Sequence, residues 1–209
     1  MNLVSNLATW FKEKYTEIKN DIALRNKQIA YKIIILGEEG VGKSSFCNRY
    51  FNNQFNLEIK PSLNENKDFQ CHKSLFEDDL IINVIDVSNN ILSFEHSKLY
   101  FDAQGAIILY DVTNRKSFDK VDSWIMDLRQ TIGRKAPIMI VGNKVDLNFL
   151  KSVHLEELKE KAAYLNCDYG EISCINEDDV DKVVDFLICK VYYLNLPENK
   201  QNSFLQFFK

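Results

Sequence analysis

Glycine is scarce in this 209-residue chain, which contains only seven glycines, well below the average usage of about 7%. Three of them, Gly37, Gly40 and Gly42, nevertheless fall within one short stretch. With 45% hydrophobic residues, the chain is long and apolar enough to predict one globular domain with a buried core. The glycine cluster therefore indicates a loop whose backbone adopts unusual conformations or closely approaches a ligand.

A strong excess of charge is also lacking, since 26 basic residues face 30 acidic residues, for a formal net charge of -4. This balance argues against a nucleic-acid-binding surface and against a polybasic membrane binder. The five cysteines are widely spaced and include no C-x-x-C pair. They predict buried thiols in a reducing compartment, and neither a disulfide framework nor a metal site.

No apolar run approaches the roughly 18 residues of a membrane span, and the first residues mix Lys and Glu where a signal peptide would be apolar. Asn2 excludes an N-myristoylation start, and the residues from Gln206 to Lys209 contain no prenylation cysteine. We therefore predict an intracellular, cytoplasmic protein. Peripheral attachment to an intracellular membrane stays open as an alternative.

Short apolar runs alternate with segments in which apolar residues recur every three or four positions. The runs are Ile33 to Leu36, Leu80 to Val87, Ala106 to Asp111 and Ile138 to Val141. This alternation predicts an α/β fold with a largely parallel sheet. A hairpin over residues 68–86 adds one antiparallel edge strand, which gives six strands and about five helices.

Residues 1–28 stand apart from the predicted domain, 29–195, as does the apolar tail, 196–209. From Leu3 to Ile22 the apolar residues lie near three- and four-residue spacings, which predicts an amphipathic helix. That helix could pack on its own domain or in a homotypic pair, or dock on a partner or a membrane surface. The tail could fold back or act as a docking peptide.

Residues 37–44 read Gly-Glu-Glu-Gly-Val-Gly-Lys-Ser and match G-x-x-x-x-G-K-[ST] between a predicted strand and a predicted helix. In such a loop the backbone N–H groups surround phosphates, and the helix presents its positive end to the same anion. We expect Lys43 to reach the β- and γ-phosphates and Ser44 to ligate Mg²⁺. The other nucleotide-binding residues predicted here are Gly37, Gly40, Val41, Gly42 and Ser45.

The sequence Asn143-Lys144-Val145-Asp146 follows an apolar strand, at the edge of the sheet where ligands bind in open α/β folds. A carboxylate there can accept hydrogen bonds from N1–H and N2–H of guanine, a pattern that adenine does not offer. The motif therefore predicts GTP or GDP as the ligand, and it disfavours a P-loop kinase or ATPase.

Together with the YDVTNRKSF sequence of residues 110–118, these motifs resemble the Ras superfamily of small GTPases, most of all its Rab branch, over residues 31–194. The resemblance implies the P-loop small-GTPase fold. It also implies that Asn143 and Asp146 hold guanine and that Lys144 lies along the base plane.

By the same resemblance, Phe55 packs edge-on to the base. Glu171 to Ile175 look like the family's E-x-S-A-K segment, which puts Ser173 and the backbone of Cys174 near the base. Ile175 stands where that segment has lysine, so a charge contact is lost.

The two segments that resemble the family's switches depart from its pattern. An ungapped count puts Ser62 at the position of the Mg²⁺-binding threonine, whereas another register puts Asn64 there. Asp86 keeps the carboxylate that holds a Mg²⁺-bound water. Asn89 replaces the glycine of the second switch, and Asn90 replaces the glutamine that orients the attacking water.

Glu39 occupies, in this resemblance, a position that faces the γ-phosphate and is usually small. Pointing inward, its carboxylate would add a repulsion of about 3 kcal/mol before screening, at ~5 Å and an effective dielectric constant near 20, and would obstruct an arginine finger. Pointing outward, it would do neither. With Asn90 at the water-orienting position, we expect slow or absent hydrolysis.

Two functions are consistent with these residues. One is an atypical Rab-like protein that binds GTP or GDP with Mg²⁺ and engages effectors or regulators through residues 56–68 and 87–100. The other is a pseudo-GTPase adaptor that keeps the fold and does not switch with nucleotide.

Overall fold

The computed structural model describes residues 29–56, 66–75, 78–87, 93–196 and 201. Several predictions from the sequence lie outside the described residues. They concern the amphipathic helix of 1–28, most of the tail, and Ser62, Asn64, Asn89 and Asn90.

The described residues contain six strands and six α-helices in a largely alternating order. The strands are β1 (Ile29–Leu36), β2 (Lys67–Leu75), β3 (Asp78–Asp86), β4 (Gly105–Asp111), β5 (Ile138–Asn143) and β6 (Asp168–Glu171). The helices are α1 (Lys43–Asn52), α2 (Ser93–Tyr100), α3 (Arg115–Asp119), α4 (Val121–Ile132), α5 (Leu155–Leu165) and α6 (Glu177–Asn195), with a 3₁₀ helix over Val145–Leu150. The predicted alternation of strands and helices is confirmed.

The strands form one sheet in the order β2-β3-β1-β4-β5-β6. Only the β2–β3 pair is antiparallel, and all other neighbouring pairs are parallel. The predicted six-stranded sheet with one antiparallel edge strand is therefore confirmed. All residues of β4 and β5 are buried, as expected for central parallel strands that helices cover on both faces.

Side chains of the central strand β1 alternate between two apolar cores, as the two-residue period of a strand requires. Ile33 and Ile35 pack in the core on the side of α1 and α6. Ile34 and Leu36 pack in the core on the side of α4 and α5. These two cores fix the sheet and leave the carboxyl ends of β1, β3, β4 and β5 at one edge.

The five-residue helix α3 is separated from α4 by Lys120 and is additional to the predicted helices. The Asn114 side chain caps it by accepting a 3.1 Å hydrogen bond from the Lys116 N–H. Ser117 Oγ donates a 2.7 Å hydrogen bond to the Asn114 carbonyl oxygen. This polar turn starts a short helix that apolar spacing alone does not indicate.

The five cysteines are free thiols; Cys47 and Cys174 are buried, and the other three are partly buried. Burial raises the pKa of Cys47, and it raises that of Cys174 to about 12, so these two thiols stay protonated and poorly reactive. Within the described residues, no helix has the length and apolar character needed to cross a membrane.

Candidate nucleotide-binding site

The loop between β1 and α1 has a backbone that only glycine accommodates at two positions. Gly37 has φ 144° and Gly42 has φ 101°. A Cβ atom at Gly37 would lie 2.2 Å from the Leu109 carbonyl oxygen, and one at Gly42 would lie 2.4 Å from Asn143 Nδ2. The loop is therefore packed tightly against the ends of β4 and β5.

Helix α1 begins directly after this loop, with Gly42 as its N-cap, and its first turn contains no acidic residue. The positive end of the helix macrodipole is thus not offset by a carboxylate in that turn. Ser44 and Ser45 lie in this turn and are partly buried. The arrangement suits a phosphate group.

Lys43 extends back across the loop that precedes it. Its Nζ donates hydrogen bonds to the carbonyl oxygens of Gly37 at 2.8 Å and Glu38 at 3.1 Å. Burial lowers the pKa of Lys43, while the carboxylates of Asp86, Glu38 and Glu39 oppose that shift. The ammonium group is held over the loop, where it can bind an anion.

Ser44 and Asp86 meet beneath the start of α1. Ser44 Oγ donates a 2.8 Å hydrogen bond to Asp86 Oδ2. Burial raises the pKa of Asp86, and the hydrogen bond from Ser44 partly offsets that shift. A hydroxyl and a carboxylate beside a phosphate loop fit Mg²⁺, which typically takes one or two protein oxygens and completes its shell with phosphates and water.

Asn143, at the end of β5, joins three segments of the site and is only 2% exposed. Its Nδ2 donates to the Val41 carbonyl oxygen at 2.9 Å. Its Oδ1 accepts from the N–H groups of Lys144, at 2.8 Å, and Cys174, at 3.2 Å. The phosphate loop, the end of β5 and the loop after β6 are therefore held together by one side chain.

Lys144 also connects the two motifs. Its Nζ donates to the Gly40 carbonyl oxygen at 2.8 Å and pairs with Asp111 Oδ2 at 2.6 Å. Asp111 is 7% exposed, and its Oδ1 accepts hydrogen bonds from the N–H and hydroxyl of Thr113. Asp111 was not among the predicted site residues, although its position at the carboxyl end of β4, next to β5, could have indicated it.

Asp146 is exposed and is oriented by a residue of the loop after β6. Ser173 Oγ donates a 2.5 Å hydrogen bond to Asp146 Oδ1 and accepts one from the Ile175 N–H at 3.2 Å. An exposed carboxylate that is held in this way can accept hydrogen bonds from the N1–H and N2–H groups of a guanine. Phe55 is half-buried, with the Arg49 guanidinium 5.7 Å from the centre of its ring.

The structure thus brings most of the predicted site residues to one edge of the sheet, where loops from β1, β3, β5 and β6 meet. They are Gly37, Gly40, Val41, Gly42, Lys43, Ser44, Ser45, Asp86, Asn143, Lys144, Asp146, Ser173 and Cys174. Glu39 is exposed on the phosphate loop. A phosphate loop tied in this way to a base-recognition loop, on an open α/β sheet, defines a P-loop nucleotide-binding protein.

A family model described as the Ras family matches residues 32–193, and the chain belongs to that family. It is similar to Ras-related protein Rab-11A of Dictyostelium discoideum, with 30% identity over 166 residues, 78% of this chain and 77% of that relative. It is also similar to GTP-binding protein ypt3 of Schizosaccharomyces pombe, with 30% identity over 164 residues, 78% of this chain and 76% of the relative.

Ras-related protein RABA1f of Arabidopsis thaliana is a third relative, with 30% identity over 165 residues, 78% of this chain and 75% of the relative. The family match and these relatives identify a Rab-like, GTP-binding small GTPase.

Proposed function

We propose that this protein binds GTP and GDP together with Mg²⁺, engages partner proteins through residues 56–68 and 87–100, and hydrolyses GTP slowly or not at all. The observation that carries nucleotide binding is the hydrogen bond from Asn143 to the Val41 carbonyl oxygen. It sets the guanine motif and the phosphate motif side by side, so one nucleotide can occupy both.

Mg²⁺ would be held by Ser44 and, through water, by Asp86, with Ser62 as a further ligand from outside the described residues. When bound, it neutralises negative charge on the β- and γ-phosphates. The direct contact between Ser44 Oγ and Asp86 Oδ2 supports this assignment, because both oxygens already converge on one point.

Slow hydrolysis is proposed from Glu39 and Asn90. The Glu39 carboxylate opposes the lowering of the Lys43 pKa, so its negative charge acts on the group proposed to bind the β- and γ-phosphates. Asn90 is one methylene shorter than the glutamine that orients the attacking water in the family, so its amide falls short of that water.

The two partner-binding segments adjoin the proposed metal site. Lys67, at the start of β2, pairs with Asp86 in the β2–β3 ladder, and residues 87–100 follow Asp86 directly along the chain. A change of nucleotide at the metal site could thus act on both segments.

We propose that residues 1–28 dock on an intracellular membrane and so attach the protein to its cytoplasmic surface. Deleting the residues before Gln28 should then abolish sedimentation of the protein with liposomes. Retained sedimentation of the shortened chain, or none by the intact chain, would contradict the proposal.

The test of nucleotide binding is to denature the purified protein and to chromatograph what it releases. Release of GTP or GDP would support the proposal, whereas ATP, ADP or no nucleotide would contradict it. The rival adaptor function requires equal partner binding with GDP, with a GTP analogue and with an emptied site, so a difference among the three would exclude it.

A further inference from the structure

Arg49 lies in the last turn of α1 and uses all three of its guanidinium nitrogens inside the protein. Its Nε donates to the Cys174 carbonyl oxygen at 2.9 Å, and Nη2 donates to that of Ile175 at 3.2 Å. Nη1 donates to the side-chain and backbone oxygens of Asn53, at 3.0 and 3.3 Å. The guanidinium also lies 5.7 Å from the centre of the Phe55 ring, within cation–π range.

The loop that Arg49 binds is the loop that contacts the guanine motif. The Cys174 N–H donates to Asn143 Oδ1, and the carbonyl of the same residue accepts from Arg49. The backbone of Cys174 is therefore held from both sides. The preceding residue, Ser173, donates to Asp146 Oδ1, so the position of this loop decides where the guanine-accepting carboxylate lies.

We propose that Arg49 is a positioning residue for the guanine base. It fixes both the loop that orients Asp146 and the ring of Phe55, and so it sets how tightly and how selectively the base is held. This inference rests on the proposed nucleotide binding and deepens it.

The arginine side chain suits this role because its planar fork can serve several acceptors at once, whereas the lysine ammonium acts as a point charge. The hydrogen bonds of Arg49 also distinguish it from the residues proposed to hold the phosphates. Within the described residues, its hydrogen bonds reach neither the phosphate loop nor the pair formed by Ser44 and Asp86. Its removal should therefore weaken base recognition and leave the Mg²⁺ contribution unchanged.

The test measures the release of ribose-labelled GDP, and the affinities for GDP and inosine diphosphate, in the full chain carrying Arg49→Gln or Arg49→Lys. Inosine lacks the 2-amino group from which Asp146 would accept a hydrogen bond. We expect both variants to release GDP about tenfold faster, the equivalent of one hydrogen bond to a charged group, and to prefer GDP over inosine diphosphate less than wild type does. EDTA should accelerate release by the same factor in all proteins.

Arg129→Gln is the matched control, because Arg129 on α4 donates in the same manner to the Asn166 carbonyl oxygen, at 3.1 Å. It should change neither the release rate nor the preference. If Arg49 were only structural, its substitution would lower the melting temperature and weaken the binding of GDP and of inosine diphosphate by the same factor. That result would overturn the inference. If Arg49→Gln folds poorly, the release rate and the nucleotide preference are measured in Arg49→Lys, which keeps the positive charge.

Two further outcomes are distinguishable. If wild type binds GDP and both Arg49 variants release it at the wild-type rate, this inference alone is overturned. If wild type binds no guanine nucleotide, the proposed function is overturned together with it.

Discussion

The side-chain amide of Asn143 donates a 2.9 Å hydrogen bond to the carbonyl oxygen of Val41, 102 positions earlier in the chain. The same side chain accepts a hydrogen bond from the N–H of Cys174, 31 positions later. Three loops that are distant in sequence therefore depend on one amide. Because Asn143 is buried, water does not replace the hydrogen bonds that the backbone groups of these loops lose when its side chain is removed.

We expect Asn143→Ala to lower the free energy of unfolding of the nucleotide-free protein by about 2 kcal/mol, since it strands buried hydrogen-bonding groups at Val41 and Cys174. Urea unfolding followed by circular dichroism measures this. Asn148→Ala is the control, because Asn148 is exposed in the neighbouring 3₁₀ helix, and it should change stability by less than about 0.5 kcal/mol. Equal effects of the two substitutions would contradict the role assigned to Asn143.

Gly42→Ala should abolish tight GDP binding and destabilise the protein. Its Cβ would lie 2.4 Å from Asn143 Nδ2, at a φ of 101°. Gly133→Ala is the matched control, since Gly133 has φ 82° and ψ 171° and no atom within 4 Å of the added Cβ, so it should cost only the backbone strain of about 1–3 kcal/mol. Calorimetric titration with GDP separates the two variants, and wild-type affinity in Gly42→Ala would refute the tight packing described here.

The sheet could be predicted from the sequence because its central parallel strands are buried on both faces and read as continuous apolar runs. Strand ends were less predictable. The run at Leu80 to Val87 became β3, Asp78–Asp86, because backbone pairing with β2 continues past the apolar residues to the pair of Leu75 and Asp78.

The motifs predicted residues that lie together at the candidate nucleotide site, but they did not predict the contacts that support it. Arg49 reaches Ile175 across 126 positions, and Asp111 meets Lys144 only because β4 and β5 are neighbours in the sheet. The end of the apolar run at Asp111 could have indicated a site residue, but not its partner. Both contacts depend on which strands and loops the fold brings together.

Asp181 on α6 gives a prediction on pH. Burial and then the nearby Asp185 carboxylate raise the pKa of Asp181, against the attraction of Lys73. A carboxyl whose pKa is higher in the folded than in the unfolded state binds its proton more tightly when folded, so it costs stability as the pH rises above the unfolded value.

Asp181→Asn should therefore be more stable than wild type at pH 7, by about 0.5 kcal/mol after solvent screening. The difference should shrink as the pH falls and disappear below about pH 3, where the carboxyl is protonated in both the folded and the unfolded state. Urea unfolding at these pH values measures it. Glu156→Gln is the control and should lower stability at pH 7. Glu156 is exposed in the first turn of α5, where a carboxylate stabilises the helix by about 0.5 kcal/mol. A loss of stability in Asp181→Asn at pH 7 would contradict the assignment.

Glu39 offers a test of nucleotide preference. If its charge acts on the γ-phosphate, Glu39→Gln should raise the affinity for a non-hydrolysable GTP analogue relative to GDP about fivefold, since an exposed charge interaction is worth about 1 kcal/mol. Competition against ribose-labelled GDP measures the ratio. Glu160→Gln removes another exposed carboxylate, on α5, and should leave the ratio unchanged. No change in Glu39→Gln would mean that its carboxylate points away from the phosphates.

Hydrolysis itself is tested by restoring both altered positions. The double substitution Glu39→Gly with Asn90→Gln should raise the single-turnover rate of GTP hydrolysis at least about tenfold, because a correctly positioned group at the attacking water contributes about 10² or more. If hydrolysis is slow as proposed, Asn90→Ala should leave the wild-type rate unchanged, since we expect the Asn90 side chain to be too short to orient that water. Wild-type hydrolysis as fast as that of an ordinary Rab, reduced by Asn90→Ala, would show that the catalytic site is intact and that Asn90 performs the role of the glutamine.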